Sequence, residues 1–232
     1  MITLEQLLEV FAAYNPQIWP MQYIAYLIGF VGVFLAVRKT AFSNWAVPAI
    51  LAFFWLWVGF FFWLPSVLQG FIPGVFFTAV FLIQGTLFVV YAVKPKLSFG
   101  FTNSASSIAG IFFLLYALAG YPLVSILVGH VYPTTAPFGV TPCPVVTFTF
   151  GLLLLNRSRI PKALLVLPFV YALSGFLWIS IGMWEDVGML ASGLLGGPLI
   201  WVRDSKLSTV QQTEVVQTPD EAGWSLDLSN KN

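Results

Sequence analysis

Charge is what this chain has least of. Only 8% of its 232 residues are Asp, Glu, Lys or Arg, while 59% are hydrophobic; a water-soluble domain carries roughly 25% charged residues. A water-soluble fold is therefore excluded. The net charge of +1 creates no field that would gather nucleic acid, which is not an expected partner. Acidic residues are missing altogether between Trp19 and Trp184. Paired carboxylates for acid/base catalysis, acidic proton relays and carboxylate cages for sodium or calcium all need such residues at depth, so none is expected inside the fold.

Other absences narrow the chemistry further. A single cysteine, Cys143, rules out an internal disulfide and a multi-cysteine metal cage. With His130 the single histidine, a zinc or copper site would need backbone or shared ligands, so neither metal nor other cofactor is expected. The first twenty residues hold no Lys or Arg, so the positive start of a cleavable signal is missing. No lysine in the last apolar run could carry a retinal Schiff base, no run holds an arginine ladder, and no strand precedes a Gly-rich phosphate loop. No catalytic set emerges. A thiol enzyme using Cys143 is the minor alternative to a non-enzymatic protein.

What the chain does have is apolar runs, at about 20–37, 45–64, 71–93, 105–129, 143–155, 163–183 and 187–202. They predict an all-α integral membrane protein, a seven-helix transmembrane bundle. Arg38 and Lys39 follow the first run, Lys94 and Lys96 the third, Arg157, Arg159 and Lys162 the fifth, and Arg203 and Lys206 the seventh. Connections 65–70, 130–142 and 184–186 contain no Lys or Arg. Basic residues in short loops are retained on the cytoplasmic side, so the N-terminus is expected outside and the C-terminus in the cytoplasm. Residues 1–19 read as an amphipathic helix and linker: Thr3 and Gln6 fit a capping box, Leu4, Leu7, Leu8 and Phe11 repeat at helical spacing, and Asn15-Pro16 to Pro20 ends it. Its expected place is the interface plane or the mouth of the bundle. Residues 20–202 form the membrane domain, and 203–232 turn polar and read as a flexible cytoplasmic tail.

The segment Gly129-His130 through Tyr132-Pro133 to Thr141-Pro142-Cys143-Pro144 is the leading candidate for function. The fifth run has room for only about 20 Å of helix against a hydrocarbon core of roughly 30 Å, so either the bilayer thins or the loop before it dips inward. Thr141 suits an N-cap and Pro142 a first helical residue, which puts Cys143 among free amides at the positive dipole end. A thiol there tends toward thiolate, and the helix start attracts anions; the plain alternative is a small buried residue under a shaped outer loop. His130 is either an interfacial hydrogen-bonder or a pH-responsive contact, and its pairing with Cys143 on a soft metal offers too few ligands. Glu185 and Asp186 read as a two-residue polar turn, the alternative being a pair that attracts cations to the pore mouth. The aromatic run from Phe53 to Trp63 suits lipid contact and ring packing, or the lining of a pocket. Gln84 is expected to bond across helices, with substrate contact the alternative. Gly188, Ser192 and Gly196 recur every four residues, a pattern for close packing within the chain or for a homodimer or partner-protein seam.

Asn15-Pro16, Trp19-Pro20, the run Phe54 to Gly59, Gln84 to Phe88, and above all residues 129–151 resemble a bacterial multi-pass membrane family catalogued as a domain of unknown function, DUF6064. The likeness covers roughly 4–202. It implies a bacterial inner membrane and directs attention to 129–151; members are sometimes labelled permeases, and it supplies neither substrate nor catalytic residues. The expected function is a transporter or permease for a small solute, with His130, Tyr132, Thr141, Cys143 and Gln84 as candidate ligand-binding residues. Facilitated passage is the simpler mechanism without buried carboxylates. The alternative is an accessory or scaffold subunit of a larger complex.

Overall fold

The computed structural model describes residues 2–217; residues 218–232 of the expected tail lie outside the described residues. In chain order the helices are α1 (Leu4–Gln17), α2 (Met21–Arg38), α3 (Ser43–Leu68), α4 (Gly74–Val93), α5 (Ala105–Leu127), α6 (Pro142–Leu154), α7 (Ala163–Ser180) and α8 (Val187–Gln217). A short 3-10 turn, Trp184–Asp186, precedes α8. Among the described residues there is no strand, only an isolated bridge between Phe99 and Asn156. Five helices, α2, α3, α4, α5 and α7, are long and apolar enough to cross a membrane. The other two expected spans fall on α6, with 13 residues, and on α8, whose apolar stretch ends at Val202 before Arg203 and Asp204.

The side-chain distribution is that of a bundle bathed in an apolar solvent. Along α2 the buried residues include Ala25, Gly29, Gly32 and Ala36, whereas Tyr23, Leu27, Phe30 and Phe34 are each more than half exposed. Large apolar groups gain nothing by leaving lipid, and small ones let helices approach. The Gly188, Ser192 and Gly196 row works in this way within the chain. A Cβ at Gly188 would meet the Tyr116 ring, one at Gly196 would meet Phe150, and Ser192 is fully buried.

At the centre stands α6, every one of whose residues is buried. It packs against α3, α5, α7 and α8. Such a short helix is about 20 Å long, less than a bilayer core of roughly 30 Å. The missing depth at its N-terminal end is filled by protein. The loop 128–141 lays Phe138 between Gly29, Phe54 and Phe148, and the C-terminal end of α1 is bonded to that loop. Asn15 donates to the carbonyls of Pro133 and Thr135 at 2.6 and 2.8 Å, and the Tyr14 hydroxyl donates to Val140 at 2.8 Å. The capping box of Thr3 and Gln6 starts α1 as expected, but the helix runs through Asn15 and Pro16 to Gln17, because buried Asn15 is pinned from its far side. Of the two expected places for α1, it takes the mouth of the bundle.

The opposite end gathers the basic connections. Gly100 donates to Leu155, Arg157 to Ser98 and Phe101 to Val37, which ties together the segments after α2, α4 and α6. Arg203 joins them by donating to the carbonyls of Leu153 and Asn156 at the end of α6, at 3.3 and 2.7 Å. Asp204 accepts from Arg203 at 2.8 Å and from the Ile160 amide at 2.9 Å. The first residues assigned to a flexible tail are thus folded structure, and helix α8 continues to Gln217; their charges have partners in a distant segment.

Two helices contain π-helical stretches, Val58–Trp63 in α3 and Tyr116–Gly120 in α5. Pro65 and Pro122 follow them closely. A proline removes an amide and crowds the carbonyl one turn back, so the ladder widens where it enters.

The crossing of α5 and α6 is the tightest test of this packing. A Cβ on Gly110 would stand 2.8 Å from the Gly151 carbonyl oxygen and 3.0 Å from Leu154 Cβ. Gly110→Val is expected to destabilise the protein by about 1–3 kcal/mol, read as a lower thermal midpoint in lipid nanodiscs. The outward-facing Ile108→Ala should stay within about 0.5 kcal/mol. A Gly110→Val midpoint equal to wild type would show that the helices do not cross there.

Candidate functional site

Below the loop 128–141, four separated parts of the chain bring polar side chains together. From α5 come Tyr116, Tyr121 and Ser125, from the loop His130 and Thr135, from the first turn of α6 Cys143, and from the 3-10 turn Glu185 and Asp186. In a regular helix residues five apart point roughly 140° apart. The π stretch closes that angle, and so both Tyr116 and Tyr121 face the same turn. Tyr116 donates to the Glu185 carbonyl at 2.8 Å, and Tyr121 donates to Asp186 Oδ1 at 2.5 Å.

The two carboxylates have different neighbours. Glu185 Oε1 stands 2.9 Å from His130 Nδ1 and 3.3 Å from the Ser125 hydroxyl. Ser125 also lies 2.8 Å from the His130 carbonyl and 3.0 Å from Thr135 Oγ1, so its one hydrogen serves one acceptor at a time. Glu185 Oε2 is buried and has no hydrogen-bond partner among the described residues. Asp186 Oδ2 accepts from the Cys143 thiol at 3.4 Å. Both acids are almost wholly shielded, Glu185 at 0% and Asp186 at 1% exposure. On its turn outside the long helices, Asp186 is pushed above the ordinary carboxylate range chiefly by burial. The Tyr121 hydrogen bond opposes that shift, the Glu185 charge adds to it and the Cys143 hydrogen bond opposes it.

This arrangement corrects two expectations. Glu185 and Asp186 are not a solvated polar turn: Trp184 and Val187 on either side are exposed, but both acid side chains turn inward, where α5 supplies hydroxyls to receive them. Carboxylates at depth are therefore available after all, although residues 20–183 contain none. The Cys143 thiol is also not set up as a thiolate. It does sit in the first turn of α6, but it is buried and its S–H donates to Asp186 Oδ2.

The candidate residues separate. His130 and Cys143 both enter the cluster, each bound to a different acid. Thr141 adjoins it as the extended residue before α6, yet its hydroxyl donates to the Pro137 carbonyl at 2.7 Å and makes no cap, so it shapes the loop. Tyr132 is 55% exposed on the loop surface, outside the cluster. Gln84 is buried elsewhere, between α4 and α7, where Nε2 donates to Leu164 at 3.2 Å and Oε1 has no hydrogen-bond partner among the described residues. Tyr116, Tyr121 and Ser125 were not singled out, and Glu185 and Asp186 were weighed only as a polar turn or a lure for cations at the mouth. Two signals were present: tyrosines five apart just before Pro122, and an acid pair with no Lys or Arg nearby in the sequence. Among the described residues, no three His, Cys, Asp or Glu side chains form a metal-ligand set.

Breaking a buried pair leaves one member uncompensated and costs about 3–5 kcal/mol. His130→Ala is expected to lose stability on that scale through the stranded Glu185. Adding Glu185→Gln should recover a large part of the loss, as read from thermal midpoints of the two single variants and the double. Additive losses would mean that the two side chains do not interact.

No curated protein and no solved structure matches this sequence. A family model does, over residues 4–210, and takes in the cluster and all the helices that build it. The chain belongs to the family of unknown function DUF6064.

Proposed function

We propose that the chain is a bacterial inner-membrane permease for a small solute, with seven spans, the N-terminus outside and the cluster of Glu185 and Asp186 as its working centre. The observation that carries this reading is the burial of two adjacent carboxylates beneath a folded-in loop, one of them with an oxygen left unpaired. Ionisable groups at depth in a membrane bundle are costly, and they recur where substrates or protons pass. The loop 128–141 and α1 are the outer gate, because they form the lid over the cluster.

The burial of the acids also changes the mechanism preferred on sequence grounds. Proton coupling becomes chemically available and replaces facilitated passage. Asp186 takes up a proton at higher pH than an ordinary carboxyl, and in doing so it loses its acceptor role toward Tyr121 or Cys143. A donor group on the solute can bind Glu185 Oε2. Cys143 and His130 act by hydrogen bonding, and no covalent step is assigned to either. The seven-span count and its orientation are supported by the meeting of the basic connections at one end of the bundle.

Purified protein in liposomes, screened under an inward pH gradient against labelled amino acids, sugars and small organic acids, is expected to accumulate at least one of them. Glu185→Gln and Asp186→Asn should abolish gradient-driven accumulation while leaving the protein monodisperse. Uptake no greater than in protein-free vesicles across the panel would falsify the reading, as would uptake indifferent to both substitutions. Sidedness has a separate test. Reporter fusions after Lys94, Arg157 and Lys206 should all report the cytoplasm, and a split among them would remove the seven-span topology.

A further inference from the structure

At the basic end of the bundle a groove of about 680 Å³ opens between α7 and α8. Its origin can be read in the sequence. Gly196 and Gly197 bring no side chains to this stretch of α8 and Pro198 interrupts its hydrogen-bond ladder, so α8 leaves space beside Phe169 that a larger residue would occupy. The walls are apolar: Phe169, Val166, Val170 and Trp201 line them, and the last three are 40–69% exposed. One end of the groove is basic. Arg159 and Lys162 line it, and Lys162 Nζ lies 5.7 Å above the Trp201 ring. The first turn of α7 begins beside them at Ala163, adding the positive end of a helix dipole. The one acid of the lining, Asp204, is already engaged by Arg203 and the Ile160 amide. Among the described residues, no carboxylate forms an ion pair with Arg159 or Lys162.

We propose that this groove binds a membrane phospholipid with an anionic headgroup. The acyl chain lies along Val166, Phe169 and Trp201, and the headgroup phosphate is received by Arg159 and Lys162. The volume falls within the roughly 300–1,000 Å³ common for small-molecule sites. An apolar trough ending in two cations matches an amphipathic anion, and basic pockets between membrane helices take anionic headgroups for the same reason. A neutral solute would leave both cations unused, and free phosphate would leave the trough empty. This site rests on the chain's being embedded in a bilayer and is independent of whether it transports anything.

The test uses the purified full chain in detergent, titrated with phosphatidylglycerol, phosphatidylcholine or inorganic phosphate and followed by native mass spectrometry and thermal midpoint. Phosphatidylglycerol is expected to give a one-to-one adduct and a higher midpoint, with phosphatidylcholine binding at least about tenfold more weakly. Arg159→Gln with Lys162→Gln, two exposed positions whose change leaves folding intact, should remove that preference. Gly197→Leu should reduce binding of both lipids by filling the trough while both cations remain. Equal binding of the two lipids, a preference that survives the double substitution, or full displacement by inorganic phosphate at equal concentration would each overturn the assignment.

Discussion

A buried helix of thirteen residues cannot by itself cross a hydrocarbon layer, and the rest of this structure is arranged around that shortfall. Because α6 is surrounded on every side, its length is compatible with a bilayer only if other protein covers its ends. At one end the cover is the loop 128–141, seated through Phe138 and roofed by α1. At the other it is a set of basic connections bonded to one another. Irregular backbone at membrane depth must be satisfied by protein or water, and here α1 supplies much of what the loop needs through Tyr14 and Asn15.

The same shortfall explains where the carboxylates go. A six-residue connection, 181–186, leads from α7 to α8 beside the start of α6, and its last turn points Glu185 and Asp186 inward while Trp184 stays exposed. Burying two adjacent acids is expensive. It is offset by His130 and Ser125 on one and by Tyr121 and Cys143 on the other, all neutral or at most singly charged groups. No Lys or Arg is brought in. The result is a cluster held by hydrogen bonds and incompletely neutralised, whose bonds depend on where protons sit.

Much of the scaffold was legible in the residues. Thr3 and Gln6 announced the start of α1, the apolar runs marked α2 to α7 and the start of α8, and Thr141-Pro142 fixed the beginning of α6. The alternation of basic and base-free connections corresponds to two distinct ends of the bundle. The candidate site was legible only in part. His130 and Cys143 stood out by rarity, but Glu185 and Asp186 were read as a polar turn or a lure for cations because local composition does not show that their side chains turn inward while Trp184 and Val187 stay exposed. Tyr116 and Tyr121 left only the weak signal of their spacing before Pro122: a regular helix separates them, and only the π stretch aligns them. Arg203 and Asp204 resembled the start of a polar tail because their partners lie some fifty residues away in sequence.

The dipole of α6 joins these features into one asymmetry. Buried in low dielectric, its partial charges are poorly screened, so groups at its termini act strongly. Asp186 reaches the first turn through the Cys143 thiol, at the positive end, and Arg203 binds the last carbonyls, at the negative end. Of the two, it is Asp186 whose burial favours protonation. A proton arriving at Asp186 therefore removes the complement at one terminus only. In the proposed cycle the loop end loosens while the basic end holds, which is the polarity an outer gate requires.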